Sequence, residues 1–486
     1  MKLHRMLQAL EAGGLLVAAP GGDPEIRGIA DDSRNVVPGG LFCAVSGTAA
    51  DGHDFIPDAI ARGAAAALVT TPVTATIPQI VVRDARRATG RAAAVFFGEP
   101  GRALHVIGVT GTNGKSTTVA LIRHLLNDAG DVAQLGTLGA YDGAGARLPD
   151  AVALTTPGPV ALHATLAEFV RRGAHTVVME ASSHALDQRR LAELALDAAV
   201  YTNLTHEHLD YHGDYEHYLA AKALLSELLA PGGIEVLNAD DPAWEALAKR
   251  SGMRRVRYGL VTPDAEVGAD DVGYAADGTT FTLRCGADRA AVRLPLVGDF
   301  NVSNALAAAA TVWALGKRVE DIAERLATAP QVPGRMERIV AREYLVLRDY
   351  AHTPDAFERV LRALRPVTPG RLVILFGCGG DRDRKKRPVM GRIAGQMADV
   401  VILSDDNPRT EDPAHILDEI ESGMEGIAHL RIPDREEAIR RALTMLRPGD
   451  TLLMTGKGPD TYQIVGTTKY PFDERAIVLD ALGLPA

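Results

Sequence analysis

Short apolar runs rich in valine and isoleucine recur along this chain, and each opens into polar residues before a helix-like segment follows. In the middle of the chain these runs are "ALHVIGVTG" (103–111), "HTVVMEASSH" (175–184), "AAVYTNLTHEH" (198–208) and "GIEVLNADD" (233–241). Apolar strands that alternate with helices are typical of a parallel sheet covered on both faces. We therefore predict an α/β protein whose binding residues collect at the carboxyl ends of its strands.

Two breaks rich in proline and glycine divide the chain. The first is Pro100–Gly101, and the second is "APQVPGRMER" (329–338). The alternation of strands and helices precedes the first break and resumes after the second. Because 486 residues are enough for several domains, we expect three α/β domains, covering residues 1–97, 98–332 and 333–486.

The composition excludes several classes of protein. A net charge of −10 argues against nucleic-acid binding through a basic field, so local cationic groups and backbone N–H groups must bind any anionic substrate. The three cysteines, Cys43, Cys285 and Cys378, form neither a zinc spacing nor a disulfide framework, which predicts a reducing, cytoplasmic setting. The most apolar helix-like stretch, residues 304–316, is too short for a membrane span, so no membrane partner is expected.

The segment "GVTGTNGKST" has the form of a phosphate-binding loop between a strand and a helix, although the first glycine of the usual pattern is missing. Its backbone N–H groups from Gly111 to Ser116 are predicted to point at phosphate oxygens. Lys115 would contact the β- and γ-phosphates, and the hydroxyl of Ser116 or Thr117 would reach Mg²⁺. The alternative is a structural glycine-rich turn.

Acidic and histidine residues follow two of the predicted strands. Glu180 ends "VVME", which is a natural position for a carboxylate that holds a metal ion. "HEHLDYH" places His206, His208 and His212 after the next strand along the chain. Such a loop could indicate zinc, but it lacks the His-Glu-x-x-His pattern and a nearby cysteine. From the residues alone, a functional histidine and a hydrogen-bonded structural histidine both remain open.

Ten motifs, in order, are similar to those of the Mur ligases, the ATP-dependent enzymes that build the peptide stem of the bacterial cell wall. They are "TGTNGKST", "MEASSH", "TNLTHEHLDYHG", "HYLAAKALL", "GDFNVSNALAA", "PGRME", "DYAHTPD", "GCGGDRD", "DDNPR" and "GKG". The family's phosphate loop reads Thr-Gly-Thr-Asn-Gly-Lys-Ser/Thr, which accounts for Val109 where glycine is usual. The resemblance implies a Rossmann-like N-terminal domain, a central P-loop ATPase domain with a parallel sheet and a Rossmann-like C-terminal domain.

The family joins a carboxylate to an amine: ATP phosphorylates the carboxylate, and the amine then displaces phosphate. By resemblance, the catalytic residues are Lys115, Lys222, Glu180 and His208, and those that hold magnesium are Ser116 or Thr117, Glu180, His208 and Lys222. Lys222 is implied to carry a carbamate (N6-carboxylysine), because magnesium prefers oxygen ligands and an ammonium would repel it. Forming the carbamate requires a lysine with a lowered pKa. From the residues alone, an ordinary solvated lysine is favoured.

The resemblance also implies the ATP and nucleotide-sugar contacts. The ATP-binding positions are Gly111, Thr112, Asn113, Gly114, Lys115, Ser116, Thr117, Asn301, Asn304, Arg335, Asp349 and His352. The positions that bind the UDP-sugar are Ser33, Thr48, Ala49, Ala50, Thr155, Thr156, Ser182, Gln188 and Arg190. Because some ATP contacts lie past residue 333, the third domain is expected to close over ATP and exclude water from the acyl phosphate.

Within the family, the chain is similar to the members that add meso-2,6-diaminopimelate to UDP-N-acetylmuramoyl-L-alanyl-D-glutamate in peptidoglycan precursor synthesis. Arg409 in "DDNPR" can pair the distal carboxylate of diaminopimelate through two parallel hydrogen bonds, and lysine-adding relatives lack this arginine. The implied diaminopimelate-binding residues are Arg382, Asp406, Asn407, Pro408, Arg409, Gly456 and Asp460. The alternative for Arg409 is a surface charge after a proline turn.

Two departures from the family pattern put substrate strictness in doubt more than reaction type. The chain reads "GKGPD" where the family usually reads Gly-Lys-Gly-His-Glu. Pro459 therefore lacks a backbone N–H, and Asp460 is one methylene shorter than glutamate. Lys386 lies in a stretch that often carries glycine.

Three other functions remain open. They are the same reaction with L-lysine or another amine, a folylpolyglutamate synthetase, and a catalytically silent relative that binds cell-wall precursors. Arg409 argues against the first, and the "DDSR" first domain with the "DNPR" loop argues against the second. The presence of the four catalytic residues argues against the third. The expected partners are small-molecule substrates, with ATP and Mg²⁺ as cofactors, and a monomer is expected.

Overall fold

The computed structural model describes residues 1–47, 50–149, 154–247 and 252–485. They form two compact units. Unit 1 comprises Met1–Val267 and Ala307–Lys317, and unit 2 comprises Gly268–Leu306 and Arg318–Ala486. Both units contain parallel sheets with helices, so the predicted α/β fold class is confirmed. The predicted boundaries near residues 97 and 332 stay a prediction.

The first part of unit 1 holds a five-stranded sheet. Its strands are β1 Leu16–Ala18, β2 Gly28–Ala30, β3 Gly40–Cys43, β4 Ala66–Val69 and β5 Gln79–Val82, and its helices are α1 Leu3–Ala12, α2 Ile56–Ala61 and α3 Ala85–Phe96. The strand order is β1-β5-β4-β3-β2, parallel except for β1 against β5. The strands β3 and β4 are buried along their whole length, which fits their apolar sequences.

The second part of unit 1 holds seven strands and five helices. They are β6 His105–Thr110, β7 Val132–Gly136, β8 Gly139–Tyr141, β9 Thr176–Glu180, β10 Leu196–Tyr201, β11 Leu229–Asn238 and β12 Arg254–Gly259, with α4 Lys115–Leu126, α5 Pro159–Arg171, α6 Ser183–Asp187, α7 Leu209–His212 and α8 Tyr215–Glu227. The order is β12-β11-β10-β6-β9-β7-β8, and all neighbours are parallel except β8 against β7.

The register of this sheet sets the position of the phosphate loop. On one side of β6, Val109 pairs with Glu180 of β9; on the other side, Thr110 pairs with Tyr201 of β10. The carboxyl ends of three parallel strands therefore meet at one edge, where ligands bind in sheets of this kind.

Unit 2 begins at Gly268, within β13 (Val267–Ala275), and continues with β14 Gly278–Cys285 and β15 Asp288–Leu294; the three strands neighbour one another in that order. The pairing of β14 with β15 is antiparallel, and α10 (Val319–Ala327) packs on both. The helix α9 runs from Asp299 to Ala314; its residues up to Leu306 belong to unit 2 and the rest to unit 1.

The remainder of unit 2 is a six-stranded sheet with five helices and a hairpin. The strands are β16 Glu337–Ala341, β17 Leu345–Asp349, β18 Leu372–Phe376, β19 Val400–Leu403, β20 Leu430–Arg431 and β21 Thr451–Thr455; the helices are α11 Pro354–Leu364, α12 Lys386–Met397, α13 Pro413–Glu421, α14 Arg435–Met445 and α15 Glu474–Ala481; the hairpin is β22 Tyr462–Val465 with β23 Thr468–Pro471. The order is β16-β17-β21-β18-β19-β20, parallel except for β16 against β17. One core packs α11, α12 and α13 on one face of the sheet, and a second packs α14 and α15 on the other.

Within the described ranges, five short 3₁₀ turns connect these elements: Ser33–Asn35, Gly52–Phe55, Pro100–Arg102, Pro242–Ala246 and Arg365–Val367. The three cysteines are buried as free thiols. Over the described ranges, the helices lack the combination of length and apolar character that crossing a membrane requires.

Candidate active site

The predicted phosphate loop is the turn between β6 and α4. Gly114 caps α4 with a φ of 86°, in the left-handed region that favours glycine. The ammonium of Lys115 donates to the carbonyl oxygens of Gly111 and Thr112, at 2.9 and 2.7 Å. A positive charge therefore lies over the loop at the N-terminus of α4, where the helix dipole also favours an anion.

This loop is tied to the segment that follows β10. The N–H groups of Thr112 and Asn113 donate to the main-chain and side-chain oxygens of Asn203, at 2.6 and 3.0 Å. In return, Thr202 Oγ1 donates to the carbonyl oxygen of Asn113 at 2.7 Å. The prediction that every N–H group of the loop points at phosphate therefore differs from the structure at two positions, because those N–H groups join two segments of the protein.

The close approach of these segments explains Gly111. Its φ is 143°, and a Cβ added there would lie 1.9 Å from Thr202 Oγ1 and 3.0 Å from the main-chain atoms of Asn203. No side chain fits into this space, so glycine is the residue that allows the loop to pack on the end of β10.

Lys222 reaches the same loop from α8. Its side chain is buried, and its Nζ donates to the carbonyl oxygen of Gly111 at 2.7 Å and lies 4.5 Å from the centre of the Tyr218 ring. Burial, and then the nearby charge of Lys115, lower the pKa of the Lys222 amine well below its ordinary value. The prediction of a solvated lysine, which the residues alone favoured, is therefore wrong. The lowered pKa favours the neutral amine that formation of a carbamate requires.

Glu180 ends β9 beside the loop, as its position in the sequence predicts. The carboxylate is buried and accepts hydrogen bonds from the N–H of Thr137 (2.9 Å) and the hydroxyl of Thr137 (3.1 Å). A Cβ added at Gly136 would lie 2.3 Å from Glu180 Oε1, so the end of β7 is shaped around this carboxylate. The hydroxyl residues Ser116 and Thr117 are also buried, in the first turn of α4.

Four aromatic rings, those of His184, His208, Tyr211 and His212, form one cluster. His208 precedes α7 with a φ of 58°, and its ring contacts that of His184 edge-on, with 4.8 Å between centres. The centre of the His184 ring lies 4.1 Å from that of Tyr211, with the two planes tilted by 38°, and His212 Nε2 lies 3.0 Å from Ser183 Oγ. Burial lowers the pKa values of His208 and His212, and that of His184 to about 4. These imidazoles are therefore neutral ring donors or acceptors at neutral pH.

Three of the residues assigned to the UDP-sugar form one hydrogen-bonded group. The guanidinium of Arg190 donates to Gln188 Oε1 at 2.8 Å and to the carbonyl oxygen of Thr156 at 2.9 Å. The hydroxyl of Thr156 donates to the carbonyl oxygen of Glu180 at 2.8 Å. Since Glu180 borders the phosphate loop, this group connects the predicted UDP-sugar site with the predicted phosphate site.

The other residues assigned to the UDP-sugar are more dispersed. The hydroxyl of Thr155 lies 3.0 Å from that of Thr137, and Ser182 Oγ caps α6 by accepting from Ala185 N–H. Ser33 is buried in a 3₁₀ turn, and Ala50 is exposed. Thr48 and Ala49 lie outside the described residues.

The remaining residues assigned to ATP belong to unit 2. Asp349, at the end of β17, is buried and accepts from the N–H groups of Met336 and Ala351, both at 2.7 Å. Burial raises the pKa of Asp349, although the charge of Arg335 opposes this. Arg335 stacks over the Tyr350 ring at 4.7 Å.

His352 and the two asparagines have partners within unit 2. His352 Nδ1 lies 2.8 Å from the carbonyl oxygen of Tyr350. In α9, the Asn301 amide donates to the carbonyl oxygen of Val297 at 2.8 Å, and Asn304 donates to Asn301 Oδ1 at 3.3 Å. The two amides are therefore held in fixed orientations.

The residues assigned to diaminopimelate follow β18, β19 and β21, at the carboxyl ends of neighbouring strands. Arg409 has a φ of 52°, and its guanidinium donates to the carbonyl oxygen of Gly380 at 2.8 Å. Its backbone N–H donates to the carbonyl oxygen of Ile464 in the hairpin at 3.1 Å, and its own carbonyl oxygen accepts from Gly466 N–H at 2.7 Å. Arg382 is exposed and donates to the carbonyl oxygen of Asp381 at 2.9 Å.

Buried Lys457 joins two of these loops. Its Nζ donates to Asn407 Oδ1 and to the carbonyl oxygen of Tyr462, both at 3.0 Å, and lies 3.6 Å from Asp406 Oδ1. Burial raises the pKa of Asp460, while the charge of Lys457 opposes the rise. Asp460 therefore stands in a partly dehydrated setting beside a cation.

Pro459 of "GKGPD", where the sequence departs from the family pattern, lies against Gly334. A Cβ added at Gly334 would lie 2.1 Å from Pro459 N and 2.5 Å from Pro459 Cδ, so the two segments are in direct contact. Lys386, the other departure, begins α12 and donates to the carbonyl oxygen of His352 at 2.7 Å. Both departures therefore make contacts with other segments of unit 2.

Comparison with known protein families covers most of the chain. The Mur ligase family catalytic domain matches residues 25–97, the Mur ligase middle domain matches residues 109–312, and the Mur ligase glutamate ligase domain matches residues 334–458. The chain belongs to the Mur ligase family. The predicted family and its three-domain α/β architecture are thereby confirmed.

Individual relatives are similar to this Mur ligase over nearly its full length. A UDP-N-acetylmuramoyl-L-alanyl-D-glutamate–2,6-diaminopimelate ligase of Geobacillus kaustophilus (strain HTA426) is 42% identical, covering 95% of this chain and 96% of the relative. The enzyme of the same name from Synechococcus elongatus (strain ATCC 33912 / PCC 7942 / FACHB-805) is 44% identical, covering 93% of each. A solved structure of such a ligase is 34% identical, with a TM-score of 0.69, and covers 94% of this chain and 95% of that one.

The residues at the phosphate loop of this Mur ligase fit a magnesium ion. Among the described residues, no three His, Cys, Asp or Glu side chains are grouped as in an all-protein metal centre. Magnesium bound together with substrate phosphates needs only one or two protein carboxylates and keeps several waters. The hydroxyls of Ser116 and Thr117 and the carboxylate of Glu180 are oxygen donors of the required kind, and they lie at the same edge of the sheet.

Sequence reasoning missed several side chains that complete the site. They are Asp31, Thr137, His184, Asn203 and Tyr211, which support residues that it did find. Burial raises the pKa of Asp31, whose charge also acts on Arg190. Asp31 opens "DDSR" and Asn203 lies in "TNLTHEH", so their presence inside motifs is the signal that could have found them.

Proposed function

We propose that this Mur ligase adds meso-2,6-diaminopimelate to UDP-N-acetylmuramoyl-L-alanyl-D-glutamate, with ATP as the second substrate, in the synthesis of peptidoglycan precursors. The observation that carries the proposal is the convergence of Lys115 and Lys222 on the carbonyl oxygen of Gly111 in the phosphate loop. The names of the relatives, which are 42 and 44% identical, support the choice of substrates.

The reaction we propose has two steps. A carboxylate oxygen of the dipeptide attacks the γ-phosphorus of ATP, and ADP leaves; the amine then attacks the acyl carbon, loses a proton, and phosphate leaves. Lys115 holds the transferring phosphoryl group at the N-terminus of α4. Ser116 or Thr117, Glu180, His208 and carbamylated Lys222 are the residues that would hold magnesium. When bound, magnesium neutralises phosphate charge.

The nucleotide-sugar site is assigned to unit 1. We propose that Arg190, oriented by Gln188 and Thr156, binds an anionic group of this substrate, because a guanidinium suits both phosphate and carboxylate. Ser33, Ala50, Thr155 and Ser182 supply hydroxyl and backbone groups. Thr48 and Ala49 belong to the same proposal.

The ATP and amine contacts of unit 2 complete the proposal. Asn301, Asn304, Arg335, Asp349 and His352 are assigned to ATP. Arg382, Asp406, Asn407, Pro408, Arg409, Gly456 and Asp460 are assigned to diaminopimelate. Arg409 pairs the distal carboxylate, and Asp460 faces the distal ammonium, since these are the charges that distinguish diaminopimelate from lysine. We place the domain boundaries at 97/98 and 332/333, and we propose a cytoplasmic monomer.

The test is an amine comparison. Purified protein is incubated with Mg-ATP, UDP-N-acetylmuramoyl-L-alanyl-D-glutamate and either meso-diaminopimelate, L-lysine or no amine. The products are identified by mass spectrometry. We expect a tripeptide product with diaminopimelate and none with lysine. Product with lysine at a comparable rate would contradict the role of Arg409. Absence of product in every tube, with the nucleotide sugar still bound, would indicate a silent precursor-binding relative.

A further inference from the structure

The loop after β18 and the loop after β19 interlock at the proposed amine site. The N–H of Gly380 donates to the carbonyl oxygen of Asn407 at 2.9 Å, and Arg409 donates to the carbonyl oxygen of Gly380 at 2.8 Å. The hydroxyl of Thr410 donates to Asp381 Oδ1 at 2.8 Å. Any displacement of one loop therefore moves the guanidinium of Arg409.

An ion pair between buried Arg387 and partly exposed Glu411 supports this junction. The carboxylate of Glu411 accepts from the N–H of Asp381 at 2.5 Å and from both terminal nitrogens of Arg387 at 2.9 Å. Arg387 also donates to the carbonyl oxygen of Gly379 at 3.1 Å. The Arg387 side chain is 0% exposed, so its charge depends on these partners. The hydrogen bonds from Arg387 contribute most to lowering the pKa of Glu411, to about 2.

We infer that Glu411, held by Arg387, is a positioning residue that fixes Arg409 and Arg382 for binding of the amine substrate. This inference rests on the proposed function. Glu411 joins the loop that carries Arg382 to the segment that follows Arg409, and it acts through these two arginines rather than on the substrate. Its loss would loosen the spacing of two cationic groups that must match one small molecule.

The neighbouring Glu419 supplies a matched control. Its Oε2 accepts from Arg387 at 2.7 Å, but it lies on α13 and its other side-chain partner is Arg384, not a main-chain group of either loop. Glu411→Gln and Glu419→Gln each remove one negative partner of the same buried arginine. A general loss of stability would therefore affect both variants, whereas a positioning effect belongs to Glu411 alone.

The experiment measures steady-state kinetics with diaminopimelate as the varied substrate. For Glu411→Gln we expect KM for diaminopimelate to rise about tenfold, which corresponds to one charged hydrogen bond. We expect kcat and KM for ATP to stay within about twofold of wild type, because the phosphate loop is untouched. Glu419→Gln should match the wild type in all three values, within about twofold.

Thr410→Val gives a second substitution, at an exposed position, that keeps the shape of the side chain. It removes only the hydroxyl bond to Asp381, and we expect KM for diaminopimelate to rise about threefold. An unchanged KM in Glu411→Gln, or an equal rise in Glu419→Gln, would overturn the inference. Failure of the wild type to use diaminopimelate at all would instead contradict the proposed function, so the two failures are distinguishable.

Discussion

The amine of Lys222 is buried next to the phosphate loop, 2.7 Å from the carbonyl oxygen of Gly111. A buried ammonium is costly, and the pKa of this amine is lowered well below its ordinary value by burial and then by Lys115. The sequence around it, "YLAAKALL", reads as a solvated helix. Burial comes from the packing of α8 beside β6, a contact between distant parts of the chain that the local pattern does not contain.

Replacing Lys222 by methionine should separate stability from activity. The pKa of Lys222 in the folded state lies below its unfolded value of ~10.4. Between these two pKa values the folded protein binds fewer protons than the unfolded chain, so the free energy of unfolding rises with pH over that range. In carbon-dioxide-free buffer, Lys222→Met should raise the free energy of unfolding near neutral pH by about 1–3 kcal/mol and flatten that rise. Turnover should fall more than about 10²-fold, since the proposed carbamate cannot form on methionine.

Urea unfolding and product formation measure these two effects. Lys317→Met, which removes a half-exposed lysine paired with Asp128, is the control and should leave turnover unchanged. A Lys222→Met protein that is less stable than wild type, or that retains full turnover, would contradict this interpretation of the buried amine.

A buried histidine shows a second limit to what can be predicted from sequence for single residues. His163 on α5 is 1% exposed, and its pKa is lowered to about 4, first by burial. Nothing in "ALHATLAEF" distinguishes it from an exposed histidine of an amphipathic helix. By contrast, Glu180 and His208 could be singled out because one ends an apolar strand and the other follows one, at the edge where parallel sheets bind ligands.

At the scale of elements, the segments with a strong local pattern were predicted well. The strand expected at 103–111 is β6 at His105–Thr110, and the helix expected after Gly-Lys is α4 at Lys115–Leu126. The strands β13–β15 and the hairpin β22–β23 were not placed by the sequence analysis. Their residues are partly exposed and mixed in polarity, so they lack the continuous apolar runs on which the strand predictions depended.

The phosphate loop depends on its contact with the end of β10, which a substitution at Gly111 tests. Gly111→Ala would place a methyl group 1.9 Å from Thr202 Oγ1. We expect it to lower the free energy of unfolding by about 2–4 kcal/mol and to abolish ATP binding, because the two segments must separate.

Gly130→Ala is the matched control for this substitution. Gly130 also has a positive φ, 74°, but a Cβ there would meet no atom within 4 Å. We expect it to cost about 1 kcal/mol and to leave ATP binding intact. Thermal unfolding and calorimetric titration with an ATP analogue measure both variants. Equal behaviour of the two alanine variants would show that backbone strain, rather than the contact with Thr202, determines the effect.

At the scale of the whole molecule, the two units obey one rule. In unit 1 the phosphate loop follows β6, and in unit 2 the proposed amine site follows β18, β19 and β21; in both, the loops extend from the carboxyl ends of parallel strands. This rule and the ordered motifs made the family predictable from sequence, and the match to three Mur ligase domains confirms it. The supporting contacts, such as Glu411 with Arg387, were not predictable because they join residues on different elements.

In the proposed reaction, a carboxylate is activated as an acyl phosphate before the amine attacks. The most direct measurement uses UDP-N-acetylmuramoyl-L-alanyl-D-glutamate labelled with oxygen-18 in its glutamate carboxylates, together with Mg-ATP and diaminopimelate. Mass spectrometry of the released phosphate follows the label. We expect each turnover to transfer one labelled oxygen to phosphate, since the amine displaces the phosphate with that oxygen attached. Unlabelled phosphate accompanying amide formation would contradict it.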